Sequence, residues 1–110
     1  MIKISITEKY YSNAEEIIYD LNKLPMANGY SDLTYELRLQ YEELLDMLPI
    51  GTKFTIDMSA GTDTYEKVDN HNFDVTVAPW YDIDHLSVYK TADRIASRGN
   101  WARGKITLVK

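Results

Sequence analysis

The chain predicts an α+β domain: a mainly antiparallel sheet of four to five strands with two longer helices and one short helix, in the order β-α-α-β-β-β-α-β. Three observations carry that expectation. In several short segments apolar and polar residues alternate, as in half-buried strands. In others the apolar residues recur at helical spacing. Prolines and glycines stand between the two kinds of pattern, where a chain changes conformation.

Residues 2–7 place Ile2, Ile4 and Ile6 on one face and Lys3, Ser5 and Thr7 on the other, the period of a strand. Ser12 and Glu15 stand at capping-box spacing, in which hydroxyl and carboxylate each satisfy a free N–H of the first helical turn. Ala14, Ile17, Ile18, Leu21 and Leu24 continue at helical spacing until Pro25 stops the run. A loop over 26–30 contains Asn28-Gly29, a pair suited to positive φ. A second helix is expected from Ser31 or Asp32 to Leu48, because Pro49 disfavours helical dihedrals in the residue before it. Leu33, Leu37, Tyr41, Leu44, Leu45 and Leu48 make its core stripe.

Past the turn at Pro49-Ile50-Gly51, Phe54, Ile56 and Met58 point inward from a strand over 53–58, with Lys53, Thr55 and Asp57 outward. A turn over 59–63 leads to a weaker strand over 64–68 that pairs back as a hairpin. Phe73, Val75 and Val77 form a third strand, ended by Pro79. Residues 80–90 show no clean periodicity. A short helix over 88–98 buries Val88, Ala92 and Ile95, with Gly99 as its stop, and a strand over 105–109 closes the chain. Pairing of the first and last strands would hold both ends in the sheet. No repeat, low-complexity tract or linker interrupts the pattern, so residues 1–110 read as a single globular domain.

Composition excludes several classes. There is no cysteine, which removes disulfide frameworks, thiolate zinc sites and cysteine nucleophiles and fits a reducing compartment. No apolar run approaches a membrane span, and the N-terminus alternates instead of showing a secretion signal. A cytoplasmic protein is therefore expected. Its net charge of −5 conceals a split. Residues 1–89 hold sixteen acidic groups against six basic ones, while residues 90–110 hold six basic groups against one acid. Nine tyrosines stand against two phenylalanines, and stiff, amphipathic tyrosine is enriched where proteins bind one another.

Three constellations could carry function. On the side of the second helix away from the core stripe, Glu36, Glu42, Glu43 and Asp46 surround Tyr35 and Leu39, the layout of apolar anchors in a charged rim. Near the end of the chain Lys90, Arg94 and Arg98 are spaced along one helix face, followed by Trp101, Arg103 and Lys105. Arginines position phosphates and an indole stacks on bases, so this segment is a candidate for nucleic acid or another anion. Finally His71 and Asp74, with Asp82, Asp84 and His85, supply imidazole and carboxylate donors of the kind that bind first-row divalent ions, and would make a metal-dependent enzyme conceivable. No nucleophile elbow, phosphate-binding glycine motif or metalloprotease pattern accompanies them. No cofactor is implied.

In size, acidity and tyrosine content the chain resembles phage-encoded inhibitors of bacterial defence systems, anti-CRISPR proteins among them. The resemblance is compositional and covers no alignable segment. It implies a small acidic module that binds a larger protein with a basic surface, imitating the charge of nucleic acid.

Overall fold

The computed structural model describes residues 11–79 and 81–110. The strand expected over residues 2–7, and its pairing with the last strand, lie outside the described residues. The remaining order is α1 (Ala14–Lys23), a 3-10 turn (Tyr30–Asp32), α2 (Tyr35–Met47), β1 (Lys53–Met58), β2 (Gly61–Lys67), β3 (Asn72–Val77), β4 (Tyr81–Ser87), α3 (Val88–Ala96) and β5 (Ala102–Leu108). The strands form one antiparallel sheet in the order β4-β3-β2-β1-β5. An α+β domain with three helices and an antiparallel sheet is what the sequence predicts. No described helix is long and apolar enough to cross a membrane.

The helices lie on one face of the sheet in the order α3, α2, α1, with α3 against β3 and β4 and α1 against β5. Between the layers Phe54 stacks on Tyr65, its cross-strand partner, with ring centroids 5.1 Å apart, and meets Phe73 edge-on at 6.1 Å. Such pairs add roughly 0.5–1.5 kcal/mol each beyond area burial. On the opposite face, Thr76, Thr64, Thr55 and Thr107 pair in register across four strands, a β-branched ladder suited to a pleated surface facing water.

Local chemistry sets where the elements begin and end. The cap of α1 is Asn13, whose side chain accepts from Glu16 N–H at 3.1 Å while the Glu16 carboxylate accepts from Ser12 N–H at 2.9 Å. The cap expected of Ser12 is thus supplied by Asn13, and the carboxylate that reaches back is that of Glu16, which takes the N–H of the residue before the cap. The start of α2 also differs from expectation. Asp32 accepts from Asn28 N–H and Leu33 is extended, so the chain makes a 3-10 turn before Thr34 caps the helix by accepting from Leu37 N–H. The helix α3 ends at Ala96, with Ser97 as C-cap. Gly99, expected as the stop, instead lets the chain pass beside the 27–29 loop. Its N–H donates to the Ala27 carbonyl at 2.8 Å, and a Cβ there would collide with the Asn28 side chain and lie 2.8 Å from the Ala27 oxygen.

The strand β4 has no counterpart in the sequence reading. A bulge between Phe73 and Val75 puts Ile83 and Leu86 three residues apart instead of two, which breaks the alternation that marks a strand. His85 adopts φ +55, and Asp74 accepts from its N–H at 2.9 Å. At the other end of the sheet the Asn22 amide accepts from Ile106 N–H at 2.8 Å and donates to its carbonyl at 2.9 Å, standing where a neighbouring strand would.

Three polar side chains project inward from β2, and each has a partner. Lys67 is 1% exposed, and its ammonium donates to the Leu45 and Asp46 carbonyls at 3.1 and 2.6 Å. It caps the C-terminal end of α2, where the helix dipole favours a cation. Burial nonetheless lowers its pKa, against the pull of the Asp46 and Asp69 carboxylates. The Tyr65 hydroxyl accepts from Arg94 Nε at 3.2 Å. Asp63 accepts from Ala78 N–H at 3.0 Å and lies 3.6 Å from the Arg94 guanidinium.

Two outcomes follow. Gly99→Ala should lower stability by about 1–3 kcal/mol in urea unfolding, since backbone must move to admit the methyl group. Burial raises the Tyr65 pKa from 10.0 to about 12, with Arg94 opposing. The unfolded chain therefore releases this proton first. The Tyr65 contribution to stability should be complete below pH about 10 and fall by roughly 2–3 kcal/mol as pH approaches about 12. In Tyr65→Phe that alkaline slope should flatten, read as unfolding free energy against pH.

Candidate functional site

Packed between α1 and α3, α2 buries more of its circumference than an amphipathic stripe requires. Arg38 is 6% exposed on the side facing α3. Its guanidinium pairs with Glu42 one turn along and lies 3.7 Å from Asp93 of α3. It also sits 4.0 Å from the centre of the Tyr89 ring and 5.1 Å from that of Tyr35. Each such contact contributes about 0.5–2 kcal/mol, more where water is excluded.

These residues border a groove of about 220 Å³ lined by Tyr30, Leu33, Thr34, Tyr35, Arg38, Tyr89 and Asp93. The local sequence explains how they converge. Gly29, at φ +98, turns the chain beneath the Trp101 indole and into the 3-10 turn that carries Tyr30. Thr34 and Ser87 cap α2 and α3 and fix the first turns that present Tyr35 and Tyr89. Tyr30 is 66% exposed, Tyr35 67% and Tyr89 49%. Three phenol rings thus stand in solvent around one buried cation. The arrangement offers stiff amphipathic surface and hydroxyls that donate or accept, and among the described residues it holds no nucleophile with a base beside it.

The six residues expected to bind a partner are dispersed. Tyr35, Glu36 and Asp46 are exposed, and Leu39 and Glu42 half-buried. Glu43, expected on the solvent side, is buried. Ten residues of helix, about 15 Å, separate Glu36 from Asp46. The outward-facing acidic patch is therefore narrower than the helical wheel suggests, because helices cover α2 on two sides.

The basic stripe is broken up as well. Arg94 is held by Tyr65 and Asp63. Arg98 is 4% exposed and donates to the Tyr41 hydroxyl at 3.1 Å and the Ile95 carbonyl at 2.7 Å. Tyr41 in turn donates to the Pro25 carbonyl at 2.8 Å. Of the expected anion-binding residues only Lys90, Trp101, Arg103 and Lys105 remain exposed. A continuous cationic face of Lys90, Arg94 and Arg98 does not exist.

Nor do His71, Asp74, Asp82, Asp84 and His85 assemble a metal site. Among the described residues no group of three or more such side chains is placed to hold a metal ion. These segments make turns instead. Asp69 accepts from His71 N–H at 2.8 Å and from the Asn72 amide, and those bonds hold its pKa below the ordinary carboxylate value. Asp74 clamps the β4 bulge.

Tyr30, Arg38, Tyr89 and Asp93 were not singled out by sequence. Their signals are present: Tyr35 and Arg38 are three apart, Tyr89 and Asp93 four apart, so each pair shares a helix face. What spacing cannot supply is that the two faces meet. Arg38→Met should keep most of the stem packing but leave Glu42 and Asp93 without their cation. A loss of about 1–3 kcal/mol is expected in urea unfolding, with Tyr35 and Tyr89 ring resonances shifting in the folded spectrum. Comparison of the chain with models of known protein families, with curated proteins and with solved structures finds no match.

Proposed function

We propose that this protein is a binding module that occupies a basic surface of a larger protein, acting as an inhibitor, with the tyrosine-walled groove as the centre of its contact. The observation that carries the reading is the exposure of Tyr30, Tyr35 and Tyr89 around Arg38. Tyrosine and arginine are enriched among the residues that dominate binding energy, and rings already fixed by packing lose little entropy on contact. Here the guanidinium supplies that packing for Tyr35 and Tyr89. Exposed Asp32 and Glu36 and half-buried Asp93 lie beside the rings, and the net charge of −5 steers the whole molecule towards positive partners. In its narrower form the reading is an imitation of nucleic acid, as in the phage anti-defence proteins that the composition resembles. The solvent-facing carboxylates Glu36, Asp46, Asp57 and Asp82 would then stand in for phosphates.

The test is quantitative. Partner protein captured by the wild-type chain from its native cells is purified and titrated with variants. Tyr35→Ala combined with Tyr89→Ala should weaken binding at least about 30-fold, as expected for removal of two central anchors. Glu36→Lys should slow association most strongly at low salt. Full affinity in the double variant, with an unchanged unfolding midpoint, would remove the groove from the contact.

A further inference from the structure

A second cleft of about 350 Å³, which shares Tyr30 and Asp93 with the groove, is bordered by Tyr30, Ile83, Leu86, Lys90, Asp93 and Arg94. Its apolar part belongs to β4. At the sheet centre the inward side chains Phe54, Ile56, Tyr65, Phe73, Val75 and Ile106 are at most 1% exposed, whereas Ile83 and Leu86 are only half-buried. The reason is topological, because β4 ends the described sheet and has a strand on one side only. Half-covered aliphatic surface therefore lies beside backbone N–H and carbonyl groups that face no strand among the described residues.

The wall along α3 is cationic. Lys90 and Arg94 are one turn apart. Lys90 is exposed and has no carboxylate partner among the described residues, while Arg94 is fixed by the Tyr65 hydroxyl and Asp63. The nearby Asp93 carboxylate is engaged by Arg38. On the other face of β4, Asp82 and Asp84 are exposed. Apolar surface, cations on one side, carboxylates on the other and a strand edge with no neighbour among the described residues between them describe a receptor for polypeptide. A strand alternates its side chains between two faces and brings its own N–H and carbonyl groups.

We propose that β4 and α3 bind a short extended peptide segment of a partner protein. Its inward residues would be an aliphatic side chain on Ile83 and Leu86 and an acidic one at Lys90 and Arg94, and its outward residues would be basic, facing Asp82 and Asp84. The bulge at Asp84 and His85 interrupts the ladder, so the pairing is confined to a few residues. The site shares Tyr30 and Asp93 with the tyrosine-walled groove, uses neither Tyr35 nor Tyr89, and stands whether or not that groove binds a protein.

Two pentapeptides of one composition test it, acetyl-Glu-Lys-Leu-Lys-Glu-amide and acetyl-Lys-Glu-Leu-Glu-Lys-amide, together with free hexanoate, each titrated against the full chain to millimolar concentration and followed by amide chemical shifts. The first peptide should shift the amides of Ile83, Leu86 and Lys90, with an affinity at least about fivefold above that of the second, since the two differ only in which face carries which charge. Lys90→Glu, an exposed substitution that leaves the fold intact, should abolish that preference. The Tyr35→Ala, Tyr89→Ala variant should retain it, which separates this site from the tyrosine face. Equal shifts from both peptides, no shifts at this edge, or hexanoate as effective as the peptide would each overturn the proposal.

Discussion

A lysine ammonium shut off from water persists only where oxygens replace its hydration, and Lys67 finds them at the last carbonyls of α2. The contact joins the end of β2 to the end of the longest helix, so it fixes how far α2 extends over the sheet and at what height. Both partners need it. The final carbonyls of a helix have no intrahelical donor, and a cation at that end is favoured by the dipole. Because Tyr65 and Asp63 project from the same strand toward Arg94, β2 positions α2 and α3 together. A strand with a polar inward face is ordinarily a poor core element. Here every inward polar group of β2 is matched, which makes the layer packing specific as well as stable.

The groove is a consequence of that placement. With α2 and α3 held on one strand, Arg38 falls between Tyr35 of its own helix and Tyr89 of the next, and its charge is shared by Glu42 and Asp93. Arg98, just past the end of α3, makes a second tie to α2 through Tyr41 and carries it to the 25–29 loop through the Pro25 carbonyl. The Tyr35 and Tyr89 rings are thereby exposed yet held by the buried guanidinium. Two arginines that a charge count assigns to an anion-binding tail, Arg94 and Arg98, are held inside the fold, while Lys90, Arg103 and Lys105 stay exposed.

Much of the fold was legible because its elements depend on local signals. Pro25 and Pro49 ended helices where a ring bars continuation, and Phe54, Ile56, Phe73 and Val75 alternated as strands with one covered face do. The strand β4 was not legible. Its bulge changed the spacing of Ile83 and Leu86 from two to three, and Asp82, Asp84 and His85 have the composition of a loop. Edge strands are written this way for a physical reason, since charges and bulges discourage unwanted pairing. Of the site, Tyr35 was visible as an apolar residue outside the core stripe. Glu43 was misplaced because a helical wheel assumes one covered face, and α2 has neighbours on two further sides.

The sequence by itself determined the class of the domain, the presence and order of its helices, the inward residues of β1 and β3, and an excess of tyrosine that had to find hydroxyl partners or solvent. These follow from periodicity, from proline and from composition, all of which act within a few residues. Only the tertiary structure decided which charges are free. Lys67 with α2, Arg94 with β2, Arg98 with Tyr41 and Arg38 with Asp93 are contacts between elements far apart in the chain, formed when desolvation forces each buried charge or hydroxyl to take the nearest oxygen or nitrogen. What is left over after that pairing includes three tyrosines at one groove and a lysine beside a strand edge that has no neighbour among the described residues, and on these the two binding proposals rest.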